Sequence, residues 1–374
     1  MTSHLFWRIS GLMAAFFLAL AAGGHYANTS GNSAELGERI PVIYCTDLFH
    51  PHDDPDDHFD LATIYAIPEL DLKAIILDQG ARQLERPGSI PVSQMNRITG
   101  RSVRFAIGLS EKLQGPADKA LEQETRFQEG VELILKTLRE SPSPVAIITV
   151  GSVRDVAAAF NRQPDLFRAK AARVMMFIGE ASTDFMEYNV TVDPAAYVCL
   201  MRSGLPVYWV PCFDGGGGKN NGHASFWVAK HEDLLKDCAP EVLQFFIYAL
   251  EKETAPALEF LTLTPDPEAR ARLLGGRRNL WCTAVFTSVS GRKMVLVGDR
   301  YLAVPQDNQT ALKEHKLFGF SPVYVSISEE AKISYGNKQG AQKVMRFEVL
   351  DRENYARGMT SATAQLLSSL RAAP

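Results

Sequence analysis

Three features of the sequence predict an α/β fold, a doubly wound and mostly parallel sheet with helices on both faces. Strand-like and helix-like runs alternate between residues 41 and 210. Two of the strand-like runs, 145–150 and 174–178, are apolar almost throughout, as strands covered by helices on both sides must be. The first strand-like run, Val42-Ile43-Tyr44, leads to Asp47 and then to a knot of carboxylates, Asp53, Asp54, Asp56, Asp57 and Asp60. That is where an open α/β sheet binds its ligand, in the crevice outside the carboxyl ends of the strands.

In order along the chain, residues 41–45 read as a buried strand, and residues 57–66 carry the apolar spacing of a helix. Strands follow at 72–77 and 103–108, a helix at 122–140, a strand at 145–150 and a helix at 153–161. A strand at 172–178, a helix at 194–203 and a strand at 206–210 complete the alternating part. Gly215-Gly216-Gly217-Gly218 and Lys219-Asn220-Asn221-Gly222 then predict a mobile loop, since so many glycines suit no regular element. Beyond it come a helix at 240–254, strands at 293–304, 323–327 and 345–350, and a closing helix at 354–370. There is no internal repeat and no low-complexity tail.

A chain of 374 residues that is 46% hydrophobic can bury a sizeable core, and residues 38–374 are expected to form a single domain. The net charge of −4, with no run of Lys or Arg, leaves no electrostatic footprint for nucleic acid or an anionic membrane. The expected partner is a small molecule, with assembly into a homo-oligomer left open. At the N-terminus Arg8 precedes an apolar run, residues 9–22, with small residues at Ala19-Leu20-Ala21 before a polar stretch. Residues 1–27 therefore read as a cleaved signal peptide and a short polar lead. The protein is expected to be exported, periplasmic or secreted, with no stable membrane insertion after cleavage; an uncleaved anchor is the alternative. The five cysteines lie far apart, without the spacing of a disulfide framework or a zinc site, and read as buried thiols.

Asp47, Asp56 and Asp57 converge on one centre if the residues between them loop out. Hard oxygen donors in that number suit Ca²⁺ or Mg²⁺ rather than Zn²⁺. The plainer alternative is a solvated loop and helix start, where acidic residues are favourable anyway. His50, His52 and His58 raise a transition-metal reading, but their spacing supports it weakly, and histidines in so polar a loop are expected to be exposed.

Several segments match, in order, the pattern of one family. Cys45-Thr46-Asp47 and Asp56-Asp57 stand as two halves of a strand followed by D-x-D-x-G-x-D-D. Residues 149–157, Thr-Val-Gly-Ser-Val-Arg-Asp-Val-Ala, stand where T-G-P-L-T-N-L-A is usual, and 176–181 where M-G-G-A is usual. Residues 187–196, Glu-Tyr-Asn-Val-Thr-Val-Asp-Pro-Ala-Ala, follow E-F-N-x-x-x-D-P-E-A-A closely. From about residue 41 to the last helix the chain resembles the nucleoside hydrolases of the inosine-uridine-preferring type. The resemblance implies the nucleoside hydrolase-like fold and hydrolysis of an N-glycosidic bond in a nucleoside or related sugar conjugate. It also implies a Ca²⁺ or similar divalent ion on Asp47, Asp56, Asp57 and the Val150 carbonyl. Asp47 would be the general base, and Glu187 and Asn189 would hold the sugar.

The chain departs from that pattern in three places. The first motif Asp is Cys45, the motif Gly is absent, and about five extra residues separate Asp47 from the acidic pair. The G-N segment that normally precedes E-F-N is replaced by residues 181–186. Where the family has a His-Asp pair opening a late helix, residues 279–285 read Asn-Leu-Trp-Cys-Thr-Ala-Val, with Leu280 and Trp281 at the pair. Asp53, Asp54 or Asp60 is then a candidate replacement carboxylate, and His223 in the glycine-rich loop a candidate proton donor. Trp281 either stacks on a base or fills core. A non-catalytic binding protein that lost the His-Asp pair is the alternative to an enzyme.

Overall fold

The computed structural model describes residues 39–308, 312–337 and 339–372. The expected signal peptide lies outside the described residues. The first strand, β1, spans Ile40–Thr46, followed by β2 (Leu70–Leu77), β3 (Arg104–Ile107), β4 (Val145–Thr149), β5 (Ala171–Phe177) and β6 (Val207–Val210). Later strands are β7 (Trp227–Lys230), β8 (Arg277–Leu280), β9 (Lys293–Val297), β10 (Arg300–Val304), β11 (Phe318–Ile327), β12 (Ile333–Tyr335) and β13 (Gln342–Val349). Nine of them make one sheet in the order β12-β11-β13-β6-β5-β4-β1-β2-β3. From β3 to β6, and on to β13, neighbours are parallel, while β11 and β12 add antiparallel pairings at one edge.

The side-chain alternation of β1 shows why the sheet is covered twice. Val42 and Tyr44 enter a core on one face with Phe59 and Phe246, while Ile43 and Cys45 enter the core on the other with Leu135 and Val156. The chain order of the strands reverses between β1 and β4, the switch point at which such sheets open a crevice. The pairing Cys45↔Thr149 brings the ends of these two strands level, and the Val150 amide donates to the Cys45 carbonyl at 2.9 Å. The residues that follow, Asp47 and Val150, leave the sheet side by side.

The elements of the first half stand within one or two residues of their expected places. The predicted helix 122–140 is instead a short 3-10 turn, Thr125–Phe127, followed by a helix Glu129–Glu140. The predicted strand 293–304 is a hairpin of β9 and β10 turned at Gly298, whose φ of 63° is the left-handed conformation a glycine adopts freely. The loop at 215–222, expected to be mobile, is tied down by named bonds. Glu180 accepts the amides of Gly215 (2.7 Å) and Gly216 (3.3 Å), and the Asn220 side chain donates to the carbonyls of Ala224 (2.6 Å) and Phe226 (3.0 Å). No helix among the described residues is long and apolar enough to cross a membrane.

Candidate active site

A cavity of about 550 Å³ opens over the carboxyl ends of β1, β4, β5 and β6. Asp47 and Val150 stand at the switch point, Phe177 at the end of β5, and Cys212 and Phe213 just past β6. Asp56, Asp57 and Asp60 reach the same cavity from the first helix, Asp56–Tyr65, here called α1; Glu187 and Asn189 reach it from across the sheet. Of the ten residues named from the sequence as catalytic, substrate-binding, metal-ligating or replacement groups, nine line this cavity, and His223 is the exception.

The extra residues between Asp47 and the acidic pair are clamped rather than solvated. The Gln83 side chain donates to the Leu48 carbonyl at 3.1 Å, and Arg86 Nε donates to the Pro51 carbonyl at 2.7 Å. Asp53 is shared between Arg86, at 2.6 Å, and Arg82, and the Arg82 guanidinium lies 4.3 Å over the ring of Phe49. Asp54 pairs with Arg278 at 2.9 Å. With the insertion fixed to the helix Gly80–Glu85 in this way, the start of α1 faces the end of β1, and the Thr46 hydroxyl donates to Asp57 at 2.5 Å.

Carboxylates crowded into a cavity wall raise each other's proton affinity. Burial first, then Asp57 and Asp78, pushes Asp47 well above the usual carboxylate range. Asp56 and Asp57 are pushed the same way by burial and by neighbouring acids, led by Asp54 for the former and Asp56 for the latter. Burial lifts Asp60 to about 7. Arg82, the one cationic side chain among the described residues lining the cavity, is already paired with Asp53.

Glu187 caps the short helix Tyr188–Val192, accepting from the amides of Asn189 (2.9 Å) and Val190 (3.4 Å), and it also accepts from Gly179 at 3.0 Å. Its carboxylate is thereby held in one orientation. Asn189 donates its side-chain amide to the Val150 carbonyl at 3.1 Å, and its Oδ1 is buried without a hydrogen-bond partner. Opposite, Trp281 packs against Phe213 (centroids 5.9 Å) and Phe226 (5.5 Å) to form an aromatic wall. Trp281 and Cys282 line the cavity, whereas Leu280 is core.

The donor chemistry fits a hard divalent cation: Asp47, Asp56 and Asp57, with carboxylate oxygens, and Val150, with a carbonyl oxygen, all line one cavity. Among the described residues, however, no three His, Cys, Asp or Glu side chains already stand close enough to ligate one ion. Two donors are turned to protein partners, Asp57 to the Thr46 hydroxyl and Val150 to Asn189. The sequence-named ligands thus share a cavity without forming a closed coordination shell.

Two sequence expectations are corrected here. His223 is not among the residues lining the cavity; both its amide (2.9 Å) and its Nδ1 (3.1 Å) engage Asp214, which is buried, and this holds it in the glycine-rich loop. His50, His52 and His58 are buried rather than exposed. His50 stacks on Tyr248 (4.6 Å) and His58 packs on Phe245 (5.8 Å), and burial lowers the proton affinity of all three. Arg82, Phe49, Phe177, Cys212, Phe213 and Cys282 are lining residues that the sequence reading did not single out. Position just past a predicted strand, 206–210, was the available signal for Cys212 and Phe213; nothing local marks Arg82.

The family model for inosine-uridine preferring nucleoside hydrolase matches residues 46–366, most of the chain. The chain belongs to that family. The pyrimidine-specific ribonucleoside hydrolase RihA of Citrobacter koseri is 31% identical over 192 residues, 45% of this chain and 58% of that protein. The protein of the same name from Salmonella arizonae is 29% identical over 188 residues, with the same coverage. The chain thus spans a little over half the length of these curated relatives. Among solved structures, the inosine-uridine preferring nucleoside hydrolase of Bacillus anthracis superposes with a TM-score of 0.51 at 10% identity, covering 88% of this chain and 99% of that one. A plant nucleoside hydrolase gives 0.52 at 16% identity, covering 90% and 100%. At such identities the likeness is one of fold, and it agrees with the doubly wound sheet.

Proposed function

We propose that this nucleoside hydrolase family member is an exported, divalent-cation-dependent hydrolase of the N-glycosidic bond in nucleosides or related ribosides, with Ca²⁺ as the expected ion. The observation that carries the reading is the meeting, in one cavity at the sheet's switch point, of Asp47, Asp56 and Asp57 with Glu187 and Asn189. A cation site beside fixed hydrogen-bonding groups suits a polyhydroxylated sugar.

Asp56, Asp57, Asp47 and the Val150 carbonyl would hold the ion, which when bound lowers the pKa of a water and binds sugar hydroxyls. Asp47 accepts the proton of the attacking water as its oxygen bonds to the anomeric carbon, and the electron pair of the C–N bond leaves with the base. The raised proton affinity of Asp47 suits that role. Glu187, fixed by three backbone amides, accepts from a sugar hydroxyl, and Asn189 Oδ1 accepts from another, so the ring is held for attack. The wall of Trp281 and Phe213 receives the planar base.

The second reading, a binding protein without catalysis, is favoured by Leu280 and Trp281 in place of the family's His-Asp pair and by the unclosed shell. Incubating the purified protein and CaCl₂ with uridine, cytidine and inosine, and following free base and ribose, decides between them. Pyrimidine ribosides head the panel because the matched relatives carry that specificity in their names. Base release that EDTA abolishes supports the enzyme; uridine binding with no release of base from any riboside leaves the binding protein.

A further inference from the structure

A neutral purine or pyrimidine base leaves a ribose readily only when a positioned acid protonates it, help worth on the order of 10²–10⁴ in rate. The cavity is poorly equipped to give that help. Among the described residues no His or Lys lines it, and its one cationic side chain, Arg82, is paired with Asp53. His223 is held by Asp214 in the glycine-rich loop. The Cys282 thiol is turned to Asp60, whose Oδ1 is held by the Thr283 amide at 2.9 Å, and burial pushes the Cys212 thiol up, which makes it a weak acid. Trp281 reaches the cavity, yet its indole N–H is buried without a partner, so the surface it presents there is ring carbon and not a donor.

What the cavity does offer is aromatic rings beside carboxylates. Trp281 is fixed by Phe213, edge-on at 84°, and by Phe226, tilted at 46°, while Phe49 and Phe177 stand on the same lining. The face of an aromatic ring carries negative potential and attracts a cation. The lining already uses that attraction once, with the Arg82 guanidinium 4.3 Å over the ring of Phe49.

An aglycone that is itself a cation suits such a lining and needs no acid. In an N-ribosylpyridinium the ring nitrogen is quaternary. As the oxygen of water bonds to the anomeric carbon, the C–N bond breaks, its electron pair returns to the ring nitrogen, and a neutral pyridine departs without taking a proton. The proton of the water passes to Asp47 and then to solvent, so the products are ribose, the neutral pyridine and a proton.

We infer that the substrates of this site are ribosides of a cationic heteroaromatic base, the N-ribosylpyridinium class, with Trp281 as the specificity-determining residue that stacks on the charged ring. The inference rests on the hydrolase reading above and names its substrate class.

The full chain with CaCl₂ is assayed on nicotinamide riboside, uridine, inosine and 4-nitrophenyl riboside, the last a neutral compound that also leaves without an acid. Nicotinamide riboside should exceed uridine and inosine in kcat/KM by at least roughly 10², the help those bases do not receive, and should have a lower KM than 4-nitrophenyl riboside. By calorimetry the N-methylnicotinamide cation should bind roughly tenfold more tightly than neutral nicotinamide. Trp281→Leu should remove that difference and Trp281→Phe should keep it. Hydrolysis of uridine or inosine as efficient as that of nicotinamide riboside overturns the inference while the hydrolase reading stands. So does equal binding of the cation and neutral nicotinamide in wild type, a result that needs no variant to fold, and a difference that survives in Trp281→Leu removes the role given to Trp281. If no riboside is hydrolysed, the hydrolase reading and the inference fall together.

Discussion

Asn189 donates its side-chain amide to the carbonyl of Val150 at 3.1 Å, joining the segment expected to hold the sugar to the end of β4 at the switch point. One side chain thus ties substrate recognition to the strand end that neighbours Asp47. The carbonyl it holds is the one backbone oxygen named as a metal donor, and its own Oδ1 is left for a ligand.

Asn189→Ala should therefore act more on substrate than on folding. Losing the bond to Val150 costs about 1 kcal/mol of stability, partly offset because the orphaned Oδ1 goes with it. KM for the riboside should rise by roughly tenfold, the loss expected for one or two sugar hydrogen bonds. Steady-state kinetics beside urea unfolding check this, and an unchanged KM would remove Asn189 from the sugar site.

Asp47→Asn should lower the hydrolysis rate by on the order of 10²–10⁴, the range for loss of a general base. In EDTA the same variant should melt higher than wild type. Asp47 is pushed up by burial, Asp57 and Asp78, so removing its charge relieves repulsion in the folded state. A variant that loses activity and also melts lower in EDTA would show that Asp47 serves the fold instead.

Asp155 offers a test by pH. Its carboxyl, buried beside Asp78, is pushed up to about 8, first by burial and then by that neighbour. The folded state therefore holds this proton across a range in which an unfolded Asp, with a pKa of about 4, has released it. Stability from this group is present at low pH and is lost as pH rises from about 4 through 8. Asp155→Asn keeps an acceptor for the Leu109 amide, which lies at 2.9 Å, and should flatten that decline. Denaturation midpoints from pH 5 to pH 8 read it directly; parallel curves for the two proteins would contradict it.

Export is tested on native material. Residues 9–22 are apolar and end in small residues, so the mature N-terminus is expected near or somewhat beyond Ala21. Edman sequencing of protein from the producing cells should begin there, and recovery of an intact Met1 in a soluble cytoplasmic fraction would refute the assignment.

The alternation of apolar runs determined the sheet and its double covering, because a strand buried on both faces has no polar side and a helix has a repeating one. Short or interrupted elements were not legible. β12 has three residues, and the helix Ser89–Thr99, with Pro91 in its first turn, buries a narrow face that local periodicity does not set apart. The edge pairing of β11 with β13 joins residues far apart in sequence, which no window detects.

At the site, residue type alone marked the acids and the Glu187-Tyr188-Asn189 run. Their convergence needed the crossover that sets β1 beside β4. Only the tertiary structure decided that His223 is held by Asp214 away from the cavity lining, and that His50, His52 and His58 are buried. A histidine's surroundings depend on what packs against it, and here the packing groups, Phe245 and Tyr248, come from about 190 residues away. The same holds for Asp60: in sequence it is one acid among several, and only the Thr283 amide and the Cys282 thiol, brought in from the far end of the chain, give its carboxylate a direction.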